Sequence, residues 1–137
     1  MFLNNPSREK IKNVLDHAKT IAVVGLSPNP SRTSYMVSEA MQRAGYRIIP
    51  VNPQTDAVLG EKSYASLSDI PEKVDIVNVF RRSEFLEDIA DEFVKIDCPV
   101  FWTQLNVVDE NVFNRLADAG YTVIMDRCIK VEHAILK

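Results

Sequence analysis

Three short stretches of the chain carry side chains suited to holding an anionic ligand. The first follows Gly25, where Ser27, Asn29, Ser31 and Arg32 offer small hydrogen-bonding groups and then a guanidinium. The second is Phe80-Arg81-Arg82, and the third is Trp102-Thr103-Gln104. Hydroxyls, an amide and a guanidinium beside a glycine suit a pyrophosphate, because arginine makes short, directional, charge-assisted bonds to phosphate oxygens. Ser27 and Asn29 also have a local reading, as turn-forming side chains between the stiffening prolines Pro28 and Pro30. Phe80 either stacks on a base or completes a strand as core. Trp102 either packs inside or lines a pocket, and Gln104 has the groups to read an amide or a base edge.

Little else assembles into chemistry. His17 and His133 fall far from these stretches and read as surface residues. The carboxylates Glu84, Glu87, Asp88, Asp91 and Glu92 recur as the solvated face of a helix. Cys98 and Cys128 are the only cysteines, too few and too far apart for a disulfide scaffold or a cysteine-built zinc site. Cys128, after Asp126 and Arg127, is either a thiol activated by basic neighbours or a buried inert one. No paired acids, metal cluster or nucleophile with its base can be put together. The expectation is binding without catalysis.

The elements that must position these groups alternate. Ser7 caps a first helix with Ile11, Val14, Leu15 and Ala18 on its apolar stripe. Ile21 to Val24 is a buried strand, ended by Gly25, and Tyr35 to Ala44 a helix with Met36, Val37, Ala40, Met41 and Ala44 inward. Tyr46 to Val51 is the second strand, closed by Asn52 and Pro53. From Gln54 to Pro71 runs a turn-rich connection in which Ser68 to Pro71 suits a short turn of helix. Val74 to Phe80 is the third strand, and Ser83 caps a helix burying Phe85, Leu86, Ile89, Ala90, Phe93 and Val94. Pro99 to Trp102, a helix from Asp109 to Ala119 (Val112, Phe113, Leu116 and Ala117 inward), Tyr121 to Met125 and a closing helix from Cys128 to Leu136 complete the chain.

Strand–helix alternation with short apolar strands specifies a five-stranded parallel sheet with helices on both faces, an α/β doubly wound, Rossmann-like single domain over residues 1–137. Ligands in such sheets sit beyond the carboxyl ends of the strands, which is where all three stretches fall. The net charge of -3 gives no general affinity for nucleic acid or anionic membrane, so a phosphate site must be a local cluster. No apolar run approaches the about 20 residues of a membrane span, and the N-terminus lacks the apolar segment of a signal peptide. A cytoplasmic protein is expected.

The glycine loop is not a standard dinucleotide fingerprint. Counting from Gly25, the second and third glycine positions hold Ser27 and Pro30, and the second strand ends on Asn52 with no carboxylate before Asp56. No Gly-Lys-Ser or Gly-Lys-Thr of a Walker loop occurs.

Taken together, an ordered set of short motifs resembles the small stand-alone CoA-binding proteins, which are similar to the CoA-binding N-terminal domain of the succinyl-CoA synthetase α-subunit. The set is Gly25-x-Ser27-x-x-Pro30-x-Arg32, Pro50-Val51-Asn52-Pro53, Tyr64-x-Ser66-Leu67, Asp75-Ile76-Val77 with Phe80-Arg81-Arg82, Trp102-x-Gln104-Leu105, and Met125-Asp126-Arg127-Cys128. It covers the chain from about Asn13 to Leu136. The resemblance implies a site for coenzyme A, free or as acyl-CoA, along the strand exits. Its contacts would be Gly25, Leu26, Ser27, Asn29, Arg32, Asn52, Pro53, Phe80, Arg81, Arg82, Trp102 and Gln104. Asn106 departs from the family glycine, although asparagine tolerates the left-handed backbone such a turn needs. The synthetase relatives phosphorylate a histidine in a second domain, which this chain does not have. Two other functions fit the fold: an NAD(P)-dependent oxidoreductase, or a regulatory protein with a vestigial nucleotide site. A homodimer is compatible with the edges of such a sheet.

Overall fold

The computed structural model describes residues 3–136. Its helices are α1 (Arg8–His17), α2 (Thr33–Arg43), α3 (Leu86–Phe93), α4 (Glu110–Asp118) and α5 (Ile129–Leu136). The strands are β1 (Thr20–Val24), β2 (Arg47–Val51), β3 (Ala57–Val58), β4 (Glu61–Lys62), β5 (Ile76–Val79), β6 (Val100–Thr103) and β7 (Thr122–Ile124). Five of these form one parallel sheet in the order β2-β1-β5-β6-β7, while β3 and β4 make a separate antiparallel ribbon. The order reverses between β1 and β5, so the exits of these two strands flank the switch point where such sheets open a crevice.

Both sheet faces are covered, which is why the strands read as continuous apolar runs. Ile21, Val23, Ile48, Ile76, Trp102 and Ile124 face Ile11 and Leu15 of α1, Val37 and Met41 of α2, and Ile129 of α5. Ala22, Val24, Val77, Val79, Phe101 and Val123 face α3 and α4 through Leu86, Phe93, Val112 and Leu116. Helix starts follow side-chain chemistry. Ser7 accepts from the Lys10 N–H at 3.2 Å, and Asp109 from Val112 N–H at 3.0 Å.

Several expectations shift. Ser83 does not cap a helix. It opens a 3-10 turn over Ser83–Phe85, its hydroxyl oxygen accepts from Val108 N–H at 2.9 Å, and α3 begins only at Leu86. Val94 lies beyond α3 and is exposed, as are Met36, Ala44 and Ala117 at the margins of their helices' apolar stripes. The short turn of helix in the long connection falls on Leu67–Asp69, one residue earlier than expected at its start. No described helix is long and apolar enough to cross a membrane.

Candidate functional site

The carboxyl edge of the sheet is built around one close approach. Gly25 leaves β1 at φ 86°, and a Cβ there would lie 2.5 Å from the backbone oxygen of Phe80. Only glycine fits both the angle and the space. Leu26 is buried and offers its carbonyl to the Asn52 side-chain amide at 2.9 Å, tying the loop to the exit of β2. Asn52 Oδ1 in turn accepts from Gln54 N–H at 2.9 Å. Both ends of that side chain are therefore occupied within the protein.

Beyond Leu26 the loop folds on itself. Ser27 Oγ accepts from Asn29 N–H at 3.1 Å, and Asn29 Oδ1 accepts from Ser31 N–H at 3.0 Å and its hydroxyl at 2.9 Å. Ser34, buried in the first turn of α2, accepts from Ser27 N–H at 3.0 Å. The turn reading of Ser27 and Asn29 is thus realised, and these bonds shape a cradle. A cavity of about 560 Å³ sits over it, lined by Gly25, Ser27, Ser31, Arg32, Thr33, Ser34 and Phe80. At this cradle α2 begins at Thr33, with Arg32 at its N-cap making no side-chain capping bond and no acid in its first turn. By contrast α1 and α4 each have a capping side chain and an acid there. The unsatisfied N–H groups and positive end of the dipole at an uncapped start favour an anion.

The β5 exit brings the cations. Arg81 lies over Phe85, its guanidinium carbon 4.3 Å from the ring centre, and has no carboxylate within ion-pair distance among the described residues. Arg32 likewise has none. Arg82 does, pairing with Glu84 at 3.2 Å on the surface. Arg81 stands between two cavities. One, of about 220 Å³, is walled by Val24, Val51, Pro53, Leu67 and Ile89 with Ser66 and Asp88 at its polar side. The other, of about 730 Å³, is lined by Phe80, Arg81, Arg82, Leu105, Val107 and Cys128 among others.

The β6 exit corrects one candidate. Trp102 is fully buried, and its indole N–H donates to the Arg127 carbonyl at 2.8 Å. It packs inside and lines no described cavity, because it shares a sheet face with Ile21 and Ile76 under the helices. Gln104 lines the larger cavity but is committed internally. Its amide N–H donates to Asn78 Oδ1, and its Oε1 accepts from Ile129 N–H at 3.4 Å. Asn106 adopts the left-handed turn at φ 67°, pinned by its N–H on Asp126 Oδ1 at 2.7 Å. Thr33, Ser34, Ser83, Val107 and Phe85 enter the site without having been singled out for it, whereas Leu105 closes the Trp102-x-Gln104-Leu105 motif. Only Ser34, in the first turn after a glycine loop, carried a signal for its place.

Cys98 lies at the opposite edge, where burial pushes its thiol up to about 12 from an ordinary 9.0. Among the described residues no group of three or more His, Cys, Asp or Glu side chains is placed to hold a metal.

Comparison with known proteins bears on this geometry. The chain is 56% identical over 135 residues to the uncharacterized protein YneT of Bacillus subtilis (strain 168), covering 98% of this chain and 100% of that one. A Thermus thermophilus protein of known structure superposes with a TM-score of 0.92 at 36% identity, over 96% of this chain and 100% of its own. An ADP-forming acetate–CoA ligase II of Archaeoglobus fulgidus is 29% identical over 80 residues, which are 57% of this chain but 12% of that enzyme. The family model of the CoA binding domain matches residues 19–134, and the chain belongs to that family.

Proposed function

We propose that this protein binds coenzyme A or a CoA thioester along the carboxyl edge of its sheet, without carrying out catalysis itself. One observation carries the reading. An uncapped helix start and Arg32, a guanidinium without a carboxylate partner, line the glycine cradle, and Arg81, likewise without one, stands between the two neighbouring cavities. That is the electrostatic complement of a pyrophosphate. The smaller apolar cavity beside Pro53 and Leu67 suits the flat adenine, with Asp88 available to its exocyclic amine. The larger cavity then receives the pantetheine arm, and Arg81 or Arg82 the 3′-phosphate. Asn52 has both its polar ends engaged within the chain, and no carboxylate stands before Asp56 to take the ribose hydroxyls of a dinucleotide at that exit.

A thermal-shift panel of CoA, dephospho-CoA, NAD and NADP tests this. Binding to the native state raises apparent stability, by about 2.7 kcal/mol at a hundredfold excess over the dissociation constant. A shift with CoA, smaller with dephospho-CoA and absent with NAD, is expected. A shift with NAD or NADP alone overturns the reading in favour of an oxidoreductase, and silence throughout favours a protein whose nucleotide site is vestigial.

A further inference from the structure

The larger cavity, about 730 Å³, carries apolar side chains beside its arginines. It is lined by Phe80, Leu105, Val107 and Cys128 on one side and by the arginines on the other. Leu105 is 59% exposed, an unusual position for a leucine in a loop otherwise tied down at every residue around it. Several polar groups at this end are already used, while Thr33, Asn106 and the two arginines also line the cavity. Gln104 bonds to Asn78 and Ile129, the Ser83 hydroxyl bonds to Val108 and Asn106, and Thr103 Oγ1 donates to the Val107 carbonyl. Buried polar groups that are satisfied internally have little to offer a ligand. Beside the arginines, the pinned loop offers apolar contact, and its turn at Asn106 fixes where Leu105 and Val107 stand. A pre-formed apolar wall of this kind gains most by covering hydrocarbon.

Resting on the reading above, we infer that the ligand is an acyl-CoA with a linear apolar acyl chain longer than acetyl, which lies against Phe80, Leu105 and Val107. The anionic end anchors at the Gly25 cradle and Arg81. The thioester sits in the larger cavity, and the chain extends along the Leu105 loop. No bond forms or breaks.

Calorimetric titration with CoA, acetyl-CoA, butyryl-CoA and hexanoyl-CoA tests this. Each added methylene is expected to tighten binding by about fourfold, the gain for one buried methylene. Leu105→Asn, at an exposed position where folding is readily checked by circular dichroism, is expected to lower the hexanoyl-CoA to CoA affinity ratio at least fivefold, about the value of one to two buried methylenes. A ladder that is flat or falls with chain length, while CoA itself binds, overturns the acyl assignment and leaves CoA binding standing. Failure of every member to bind overturns CoA binding as well. An unchanged ratio in Leu105→Asn, with the wild-type ladder rising, rejects this wall as the acyl site.

Discussion

The two edges of the sheet meet the same demand, turning the chain between strand and helix, in different ways. At the amino edge polar groups find partners within the protein. Asp75 accepts from the backbone N–H groups of Lys19 and Thr20 at 2.8 and 3.0 Å, and Arg47 pairs with Glu72 at 3.0 Å. The glycines there, Gly45 and Gly120, take positive φ with open space around them. At the carboxyl edge Gly25 is needed for a close approach as well as an angle, Arg32 and Arg81 are left without carboxylates, and α2 starts uncapped. One edge is finished by its own side chains. The other leaves a helix start uncapped and two guanidinium groups without carboxylates, and under the proposed function a bound anion would complete it.

The sharpest way to break that contrast is to substitute glycines on both edges. Gly25→Val meets a backbone oxygen and is expected to abolish CoA binding and lower the melting temperature strongly. Gly120→Ala carries only left-handed strain, about 1 kcal/mol, and leaves CoA affinity unchanged. Comparable binding losses from both would erase the difference between the edges.

Next in size are the arginines. Arg81→Ala is expected to weaken CoA roughly tenfold to a hundredfold, the value of a charge-assisted bond, with little change in melting temperature. Arg47→Ala, on the other edge, leaves binding intact and changes stability by less than about 1 kcal/mol, as exposed ion pairs do. Calorimetry and melting curves of the two variants separate these outcomes.

The thiols sharpen the comparison further. Cys128 lines the larger cavity and is expected to react with a thiol reagent in the native protein, whereas buried Cys98 is expected to react only after unfolding. Burial raises the Cys98 pKa, so the folded state holds its proton where the unfolded chain has lost it. That contribution is complete below the ordinary thiol value of 9.0 and is lost as pH rises from there toward about 12. Denaturation across this range should show stability falling less steeply in Cys98→Ala. Equal reactivity of both thiols in the native state would contradict the burial.

The smallest effect is expected at Trp102. Trp102→Phe loses the bond to Arg127 and some packing, about 1–2 kcal/mol of stability, and moves CoA affinity less than threefold, within about 0.7 kcal/mol. A large binding loss without destabilisation would return Trp102 to the pocket wall.

Much of the fold was legible because each strand is short, apolar and followed by an amphipathic helix. Trp102 was not, for a physical reason. With helices on both faces, Phe101 and Trp102 are both buried, so alternation along β6 says nothing about which neighbour reaches the crevice. Ser83 had the composition of a cap, but its hydroxyl is held by the loop at Asn106 and Val108, a contact no local pattern reveals. Met36 stands at the margin of its helix stripe, where a rotation of a few tens of degrees separates buried from exposed. The loop was readable from Gly25 to Arg32 because its turn bonds are local. For the larger cavity the strand exits were readable, but not their meeting in one cavity, since it joins the loops after β5 and β6 with Cys128 before α5, far apart in the chain.

An amide NMR titration with CoA tests the central claim most directly. Saturable shifts are expected at Gly25, Ser27, Thr33, Ser34, Phe80 and Arg81, with Lys19, Asp75 and Gly120 unmoved. Shifts centred on the amino edge, or no saturable shift up to millimolar CoA, would contradict it.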